Sequence, residues 1–538
     1  MTVLAAPVSA ELDFVTPHIE YARISPLLIV LGLAVLGVLV EAFAPRRLRY
    51  PVQLGLTLAG LAAALVITVL VGRGLAEHRG AIGSLSAEGA VAVDGPTVFL
   101  WGTLLALGIA SILLFAERRL EGGVTAFAGQ AAALPGTQAE RAASVGGIEH
   151  TEVFPLAMFA LAGMMLFPAA NDLLTMFVAL EVLSLPLYLL CALARRRRLL
   201  SQEAALKYFL LGAFSSAFFL YGIALIYGYS GSVRLAGIDA AVTSSVGNEA
   251  LLLAGVGLLS VGLLFKIGAA PFHAWTPDVY QGAPTAVTAF MAACTKIAAF
   301  GALMRVFYVG LGGARWDWQP MLWVVAILTM VVGSLIAITQ TDIKRMLAYS
   351  SIAHAGFLLT AIAASHQPLR VGSTDITSVQ AVLFYLVAYG FTTVGAFAVV
   401  TVVRDPDGEA THLSRWAGLG KESPLLAGVF AFFLLALAGI PLTSGFTGKW
   451  AVFTSAWAGG GWPLVLVAVV MSAVAAFFYV RVIVLMFFSD PVGDAPSVAI
   501  PSVLTSVAIS VGLAATLVLG VLPAPVLDLA RQAGEFIR

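Results

Sequence analysis

About fourteen apolar stretches, each long enough to cross a lipid bilayer, constrain the fold of this chain more than any other feature. A helix that spans the hydrocarbon core needs about 20 predominantly apolar residues. Such stretches start near residues 25, 53, 98, 153, 172, 203, 249, 285, 320, 344, 378, 424, 462 and 499. Only 11% of the residues are charged and the mean hydropathy is +0.97. The sequence therefore predicts an all-α polytopic membrane protein with about fourteen transmembrane helices.

Lysine and arginine are distributed unequally between the predicted loops. One set of alternate loops holds about fifteen of them, including Arg46, Arg118, Arg195 to Arg198 and Lys344, and the other set, tails included, holds about eight. Because cytoplasmic loops carry the excess of basic residues, we expect both termini on the extracytoplasmic side of the cell membrane. The first 24 residues contain no apolar segment behind a basic one, so we expect no cleaved signal peptide.

Two of the predicted spans are interrupted by glycine and proline. The seventh contains Gly268 and Pro271, followed by the polar string HAWTPDVYQGAP, and the twelfth contains Gly439 and Pro441. These residues weaken helical hydrogen bonding, and the freed backbone groups are tolerated in a membrane only where protein or water satisfies them. The breaks lie five spans apart, so helices four to eight and nine to thirteen run in opposite directions. This pattern predicts inverted five-helix repeats with two discontinuous helices.

These features divide the chain into four predicted parts. Residues 1–150 comprise three transmembrane helices and a Gly- and Ala-rich cytoplasmic loop at 122–147, to which we assign no chemistry. Residues 151–310 form the first five-helix repeat and residues 311–490 the inverted second repeat, each expected to provide a half-channel. Residues 491–538 contain the last helix and the tail.

Five charged residues interrupt otherwise apolar stretches. They are Glu181, Lys207, Lys266, Lys296 and Lys449. A charge at the bilayer centre costs at least about 2.5 to 3.5 kcal/mol, so several of them together indicate a polar interior. The sequence therefore predicts a membrane protein that moves charge.

Glu181 and Lys207 are expected to interact. Glu181 lies roughly 14 Å into the fifth span, where it handles protons, pairs with an ion, or as a protonated group only ties helices together. Lys207 lies about one turn into the sixth span, and snorkelling towards the surface is sufficient to explain it. The functional interpretation is that Lys207 neutralises Glu181 and so controls which group takes up the next proton.

Lys266 and Lys296 lie deep in the seventh and eighth spans. A lysine carries protons near neutral pH only if its surroundings lower its pKa from the reference value of about 10.4. The alternative is a permanently paired structural lysine. His273 after the first break and His354 in the tenth span are candidates to pass protons between lysines, because histidine titrates near neutral pH. The alternative for each is a neutral, hydrogen-bonded interior histidine.

Lys449 follows the second break. There we expect the N-terminus of the resuming half-helix to disfavour a cation, whereas Lys266 lies at the C-terminal end of a half-helix, which favours one. This difference predicts that Lys266 loads protons and that Lys449 releases them.

Several functional classes lack their usual residues in this sequence. Cys191 and Cys294 are too few for an iron–sulfur cluster or a zinc site. No nucleotide-binding glycine motif occurs. The formal net charge is zero, with no basic run beyond Arg195 to Arg198, which argues against nucleic-acid binding. Energy for transport is therefore expected from a partner or an ion gradient.

Three strings carry a resemblance to a known family. LFKIGAAPFHAWTPDVYQGAPTAVTAF, TDIKRMLAYSSIAHAGF and GIPLTSGFTGKW resemble the antiporter-like membrane subunits of respiratory complex I, the Mrp antiporters and the membrane-bound hydrogenases. The similarity covers roughly residues 150–490. Within this group the chain most resembles the subunit N family of NADH-quinone oxidoreductases. The reasons are the fourteen spans, the lack of a long lateral helix after the last span, and the lysine at position 449.

The resemblance implies a role for each candidate site residue. It makes Glu181 the glutamate of the fifth helix, with Lys207 its companion on the sixth. Lys266 becomes the seventh-helix lysine, Lys296 the central lysine and Lys449 the exit residue. His273 matches the histidine after the first break, and His354 lies in the tenth-helix motif. All seven are expected to take part in proton translocation.

The resemblance also implies a function. We expect a proton-translocating subunit of an NADH:quinone oxidoreductase, an enzyme complex in which this chain binds no cofactor. FMN, iron–sulfur clusters and quinone are expected on the other membrane and peripheral subunits, and no nucleic acid is expected as a partner. The alternatives are a Na⁺/H⁺ antiporter subunit of the Mrp type, a membrane subunit of a membrane-bound hydrogenase, and a scaffold whose charges only pair.

Overall fold

The computed structural model describes residues 19–77, 83–130, 137–138, 142, 149–245, 247–364, 376–405, 408–491 and 497–538. Most of the predicted Gly- and Ala-rich loop therefore lies outside the described residues. The same holds for residues 1–18, where no cleaved signal peptide is expected.

All fourteen predicted spans are helical within the described residues, and the all-α polytopic membrane fold is confirmed. The seventh and twelfth predicted spans are each divided into two helices, as predicted, and these are labelled a and b below. The helices are α1 Tyr21–Phe43, α2 Arg46–Glu77, α3 Gly95–Phe115, α4 Val153–Ala169, α5 Leu173–Cys191, α6 Arg198–Ser230, α7a Glu249–Ile267, α7b Trp275–Gly282, α8 Thr285–Gly310, α9 Arg315–Thr339, α10 Ile343–Ala363, α11 Ser378–Val402, α12a Pro424–Ala438, α12b Ser444–Ala458, α13 Trp462–Phe488 and α14 Val503–Val521.

Short elements connect these helices at the two ends of the bundle. Strands β1 (Gly83–Ser86) and β2 (Val91–Asp94) form an antiparallel hairpin. Strand β3 (Val403–Asp405) pairs with β4 (Gly408–Glu409) on one side and β5 (Ser497–Val498) on the other. Short helices cover Leu235–Thr243, Leu419–Glu422 and Ala524–Gln532, and 3-10 turns cover Arg119–Glu121 and Leu413–Trp416.

Polar residues and glycines fix the helix ends. The side chains of Asp94, Asp172 and Asp342 cap α3, α5 and α10 by accepting hydrogen bonds from backbone N–H groups of the first turn. Gly268 and Gly439 end α7a and α12a in the left-handed conformation, with φ of 77° and 87°. Glycine adopts this conformation without steric cost, so these two residues define where the discontinuous helices break.

Helices α8, α10 and α11 form the interior of the bundle and are almost completely buried. The peripheral helices expose large apolar side chains, including Leu70 on α2, Phe214 on α6 and Phe477 on α13. Apolar side chains on the outside and buried polar side chains in the centre are the arrangement that a lipid environment requires.

The helix contacts within the first predicted repeat match those within the second. Helix α4 packs against α5 and α8, and α9, five helices later, packs against α10 and α13. Likewise α6 contacts both halves of α7, and α11 contacts both halves of α12. This correspondence agrees with the inverted repeat; the limits of the repeats, 151–310 and 311–490, stay predictions.

Most of the basic loop residues meet at one end of the bundle, which we call the basic end. There Arg196 pairs with Glu121 at 2.9 Å, and Arg404 pairs with the same carboxylate. Arg197 donates to the Thr411 hydroxyl at 2.7 Å. These contacts join loops that are far apart in the sequence, and they hold the basic ends of both repeats together.

A buried ion pair joins helices near the opposite end. Arg305 Nη2 lies 2.8 Å from Asp94 Oδ1, and neither side chain is exposed. Arg305 also donates to Thr97 Oγ1 at 2.7 Å and to the Pro168 carbonyl at 2.5 Å. Arg305, a structural cation, is thus paired with a carboxylate and donates to two further acceptors.

Replacing Arg305 by Met should strongly destabilise the protein. The substitution leaves the Asp94 carboxylate buried without its cation, which typically costs about 3–5 kcal/mol. We expect a large drop in the thermal unfolding temperature of the purified protein. Lys421→Met is the matched control, because the Lys421–Asp490 pair is mostly exposed and exposed pairs contribute about 0–1 kcal/mol. Equal unfolding temperatures for the two variants would contradict this assignment.

Candidate functional site

Three of the four lysines singled out in the sequence, and one histidine, lie in the interior of the bundle. Lys266 and Lys296 are 3% exposed, Lys449 is 4% exposed and His354 is 2% exposed. Lys296 and His354 lie on the interior helices α8 and α10, and Lys266 and Lys449 lie on α7a and α12b, the broken helices. The structure therefore places four of the seven candidate residues in the interior.

Lys266, in the last turn of α7a, is held by neutral groups. Its Nζ donates to Ser184 Oγ at 2.7 Å and to the Tyr208 hydroxyl at 3.1 Å. The same Nζ lies 5.9 Å from the ring centre of Tyr188 and 5.2 Å from that of Tyr208. Aromatic faces and hydroxyl oxygens stabilise an ammonium group without fixing its charge permanently.

Glu181 lies one turn before Ser184 on α5. Residues three apart face the same side of a helix, so the carboxylate is directed towards the surroundings of Lys266, with which it interacts electrostatically. Within the described part of the chain, Glu181 Oε1 is buried and accepts no hydrogen bond. A negative charge here favours a proton on Lys266.

The expected pair between Glu181 and Lys207 is not formed in this structure. Lys207 Nζ lies 2.7 Å from Asp278 Oδ2 and 2.8 Å from Glu203 Oε1. The reason is that α7b places a carboxylate beside α6 at this position. Helix α6 also begins at Arg198, about five residues before the predicted start of the sixth span. Lys207 therefore lies nine residues, or about two and a half turns, after the first residue of α6 rather than one turn.

Lys296 follows a π-helical turn, Met291–Thr295, in α8. Such turns disturb the regular hydrogen bonding of a helix and often occur at functional sites. Lys296 Nζ donates to the Ser351 carbonyl at 2.5 Å and lies 5.5 Å from the ring centre of Tyr389. The Tyr389 hydroxyl donates to Ser351 Oγ at 2.8 Å. Ser351 and Tyr389 thus surround the ammonium group with neutral polar atoms.

His354 lies on α10, the helix whose Ser351 carbonyl binds Lys296. Its Nδ1 is 2.6 Å from the Tyr385 hydroxyl, and its Nε2 is 3.3 Å from the Tyr479 hydroxyl. Hydroxyl groups both donate and accept. Each tyrosine hydroxyl can therefore accept a hydrogen bond from a protonated ring nitrogen or donate one to an unprotonated ring nitrogen. Ser351, which binds Lys296, lies one turn before His354 on α10.

His273 lies away from this group. It follows the break in α7, is partly exposed, and its ring centre is 6.4 Å from that of Tyr349. Among the described residues, its Nδ1 is buried without a hydrogen-bond partner, and no hydrogen bond joins it to a lysine. No contact among the described residues supports the expectation that His273 passes protons directly between the lysines.

Lys449 reaches back across the break in α12. Its Nζ donates to the carbonyls of Leu437 at 3.1 Å and Ala438 at 2.8 Å, and to Ser472 Oγ at 2.8 Å. These carbonyls end α12a, where the helix dipole favours a cation. The sequence-based expectation that the N-terminus of α12b disfavours the charge is therefore wrong, because the side chain is long enough to bind the preceding half-helix.

Lys266 and Lys449 thus occupy similar electrostatic positions. Each is associated with the C-terminal end of the first half of a discontinuous helix. The predicted contrast between a loading and a releasing lysine cannot come from the dipoles of these half-helices. A direction of transport has to arise from other charges.

Sequence reasoning missed the tyrosines of the site. Five buried ones contact the candidate residues through a hydroxyl or an aromatic ring: Tyr188, Tyr208, Tyr385, Tyr389 and Tyr479. A tyrosine inside an apolar stretch needs a hydrogen-bond partner when buried, and this property could have identified them.

Together these residues form a set of buried polar groups, which we call the lysine axis. It consists of Lys266, Lys296, His354 and Lys449 with the hydroxyl groups that contact them. Within the described part of the chain, no group of three or more His, Cys, Asp or Glu side chains could hold a metal ion. The arrangement is suited to moving protons between amines, imidazole and hydroxyls.

The chain is similar to known proteins over almost its whole length. The family described as NADH:quinone oxidoreductase/Mrp antiporter, transmembrane, matches residues 170–511. A protein named NADH-quinone oxidoreductase subunit N from a Nocardioides species is 67% identical over 98% of this chain and 100% of the relative. A protein of the same name from Rhodococcus opacus is 62% identical over 97% of both chains.

Solved structures agree with these relatives. A chain in the structure of respiratory complex I from Thermus thermophilus with bound aureothin is 36% identical, with a TM-score of 0.73, covering 95% of this chain and 100% of that one. A chain of the Mrp complex from Dietzia sp. DQ12-45-1b has a TM-score of 0.77 over 96% of this chain and 97% of that one. At 21% identity, this second similarity concerns the fold alone.

Proposed function

Because this chain belongs to the NADH:quinone oxidoreductase/Mrp antiporter transmembrane family, we propose that it is a proton-translocating membrane subunit of an NADH-quinone oxidoreductase. Its contribution to the enzyme complex is to carry protons along the lysine axis. The redox chemistry that drives transport takes place on partner subunits, and the other membrane and peripheral subunits of that complex are its partners.

One observation carries the proposal. Among the described residues, Lys266, Lys296 and Lys449 take part in no ion pair within 4.0 Å. Their partners are carbonyls, hydroxyls and aromatic rings. The buried Arg305, by contrast, has a carboxylate at 2.8 Å. A buried amine with neutral partners can lose its proton without leaving an unpaired carboxylate behind, and so it can act as a carrier.

Protons enter from the cytoplasm through the first half of the molecule. They are held on Lys266 and Lys296, pass His354 and ordered water, and leave through Lys449. Moving one charge against a potential of 100 mV costs about 2.3 kcal/mol. A change of charge beside a buried lysine supplies a free energy of that order. His273 lies off the axis, and we assign it no step.

The cofactors of the complex belong to other subunits in this proposal. An iron–sulfur cluster of the usual type needs four cysteine ligands, and the sequence contains two cysteines. FMN, iron–sulfur clusters and quinone therefore supply the driving reaction from partner chains.

The basic end faces the cytoplasm in this proposal, and both termini lie outside the cell. The excess of basic residues supports this orientation in the cell membrane. Trp316, Trp457 and Trp462 are exposed at the opposite end of the bundle, where aromatic residues commonly mark a membrane–water interface.

The test is NADH-driven proton transport by the purified complex in sealed vesicles. We expect the preparation to contain flavin and iron–sulfur absorbance and to acidify the vesicle interior without sodium. A preparation that lacks these chromophores and moves protons only against a sodium gradient would instead indicate the Na⁺/H⁺ antiporter alternative.

Glu181→Gln should reduce proton pumping several-fold, whereas Glu181→Asp should retain most of it. The amide cannot ionise, so the negative charge that favours a proton on Lys266 is lost. Aspartate keeps the charge on a shorter side chain. Protons pumped per NADH oxidised is the quantity to compare. Similar, nearly normal values for the two variants would mean that proton pumping does not depend on the charge of Glu181.

A further inference from the structure

We propose that Asp278 is the positioning residue that holds Lys207 away from Glu181 and ties it to α10. This inference rests on the proposed function. Asp278 lies on α7b, after the break. Its Oδ2 is 2.7 Å from Lys207 Nζ on α6, and its Oδ1 is 2.6 Å from Arg345 Nη1 on α10. One carboxylate thus joins a cation of the first repeat to a cation of the second.

The break in α7 makes this contact possible. Helix α7b packs against both α6 and α10, so a side chain in its first turn can reach both helices. Each carboxylate oxygen accepts from a different cation, and charge-assisted hydrogen bonds of this kind are roughly twice as strong as neutral ones. Asp278 is therefore the shared partner of Lys207 and Arg345.

Further hydrogen bonds connect Asp278 to the start of α10. Arg345 Nη1 also donates to Gln281 Oε1 at 3.0 Å, and Gln281 Nε2 donates to Asp342 Oδ2 at 3.2 Å. Asp342 in turn accepts the backbone N–H groups of Lys344 and Arg345 at 2.9 and 3.0 Å. Helix α10 carries the Ser351 carbonyl that binds Lys296. The position of Lys207 is thereby linked to the helix that holds the central carrier.

Glu181 is the competing partner for Lys207. Helices α5 and α6 pack against each other in opposite directions. Glu181 lies ten residues before the end of α5 and Lys207 nine residues after the start of α6, so both are roughly 14 or 15 Å from the basic end. Two side chains at equal depth on neighbouring helices can meet if Asp278 releases the lysine.

The two positions of Lys207 have opposite effects on Lys266. While Asp278 holds Lys207, the unneutralised Glu181 favours a proton on Lys266. When Lys207 moves to Glu181, that attraction is cancelled and the proton is free to move towards Lys296. Asp278 thus sets the loading position, and Arg345 transmits its release to α10.

The test compares Asp278→Asn and Asp278→Glu in the intact complex, with Glu203→Gln as the control. Glu203 also pairs with Lys207, but it is an exposed neighbour on the same helix, and such pairs contribute little. Asp278→Asn should lower the protons pumped per NADH oxidised by roughly tenfold, the typical effect of losing one charge-assisted hydrogen bond. Asp278→Glu and Glu203→Gln should pump nearly as the wild type does.

A double variant separates positioning from a merely structural role. Because Asp278 acts through Lys207, Lys207→Gln combined with Asp278→Asn should pump as Lys207→Gln alone does. Additive losses would overturn the inference, as would wild-type pumping by Asp278→Asn. If Asp278→Asn does not assemble, Arg345→Gln, which removes the bonds of Arg345 to Asp278 and Gln281 but leaves Lys207 on Asp278, should also lower pumping, and normal pumping there overturns the inference. Absence of NADH-driven pumping in the wild type and in Glu203→Gln would instead overturn the proposed function.

Discussion

Lys296→Ala should reduce NADH-driven proton pumping to background while the complex remains assembled. Lys296 contacts the Ser351 carbonyl on α10 and the Tyr389 ring on α11, and alanine has no group that carries a proton. Removing a positioned proton-transfer group typically costs roughly 100-fold or more in rate. The smaller side chain leaves no unpaired carboxylate behind, so the fold should be retained.

The measurement is the acidification rate of vesicles that contain the purified complex, together with the rate of NADH oxidation. Lys421→Ala serves as the control, because it also removes a lysine but from an exposed position at the basic end. If Lys296→Ala vesicles acidify as fast as wild-type vesicles, Lys296 is not a carrier.

Lys449→Arg should block proton release even though it keeps the positive charge. Arginine stays protonated at physiological pH. Three neutral acceptors and the Phe357 ring at 5.0 Å can still hold a cation there. A proton arriving from His354 then meets a permanent charge that cannot be discharged. We expect pumping to fall at least as far as in Lys296→Ala.

Lys421→Arg is the matched control for this substitution, since it makes the same change of side chain on the surface. The two variants should assemble equally, and only Lys449→Arg should lose pumping. Normal proton release by Lys449→Arg would mean that protons leave by another route.

The sequence alone was sufficient to predict the spans and the breaks. Length and hydropathy located all fourteen helices, although α2, α6 and α9 begin at Arg46, Arg198 and Arg315, five to seven residues before the predicted starts. Gly268 and Gly439 marked the two discontinuous helices, because only glycine readily ends a helix in the left-handed conformation. The cost of placing charge in lipid identified Lys266, Lys296 and Lys449 as interior residues.

The partners of these lysines could not be predicted in the same way. Lys207 and Asp278 are 71 residues apart in the sequence, and Lys296 and Ser351 are 55 apart. Which side chains meet depends on the rotation and tilt of each helix, and these are set by packing rather than by hydropathy. The expected Glu181–Lys207 pair and the expected dipole at Lys449 were therefore wrong for this structure, whereas Lys266, Lys296 and Lys449 are buried in the interior as expected.

The measurement that tests the central claim most directly is a cryo-EM map of the assembled complex at a resolution that shows ordered water. We expect water molecules to join Lys266 to Lys296, and Lys296 through His354 to Lys449, with polar side chains on either side of every gap. Water-mediated hydrogen bonds of this kind would complete a path for protons within the chain. A segment of the lysine axis lined only by apolar side chains and free of water, with no polar side chain able to reach across it, would contradict the account.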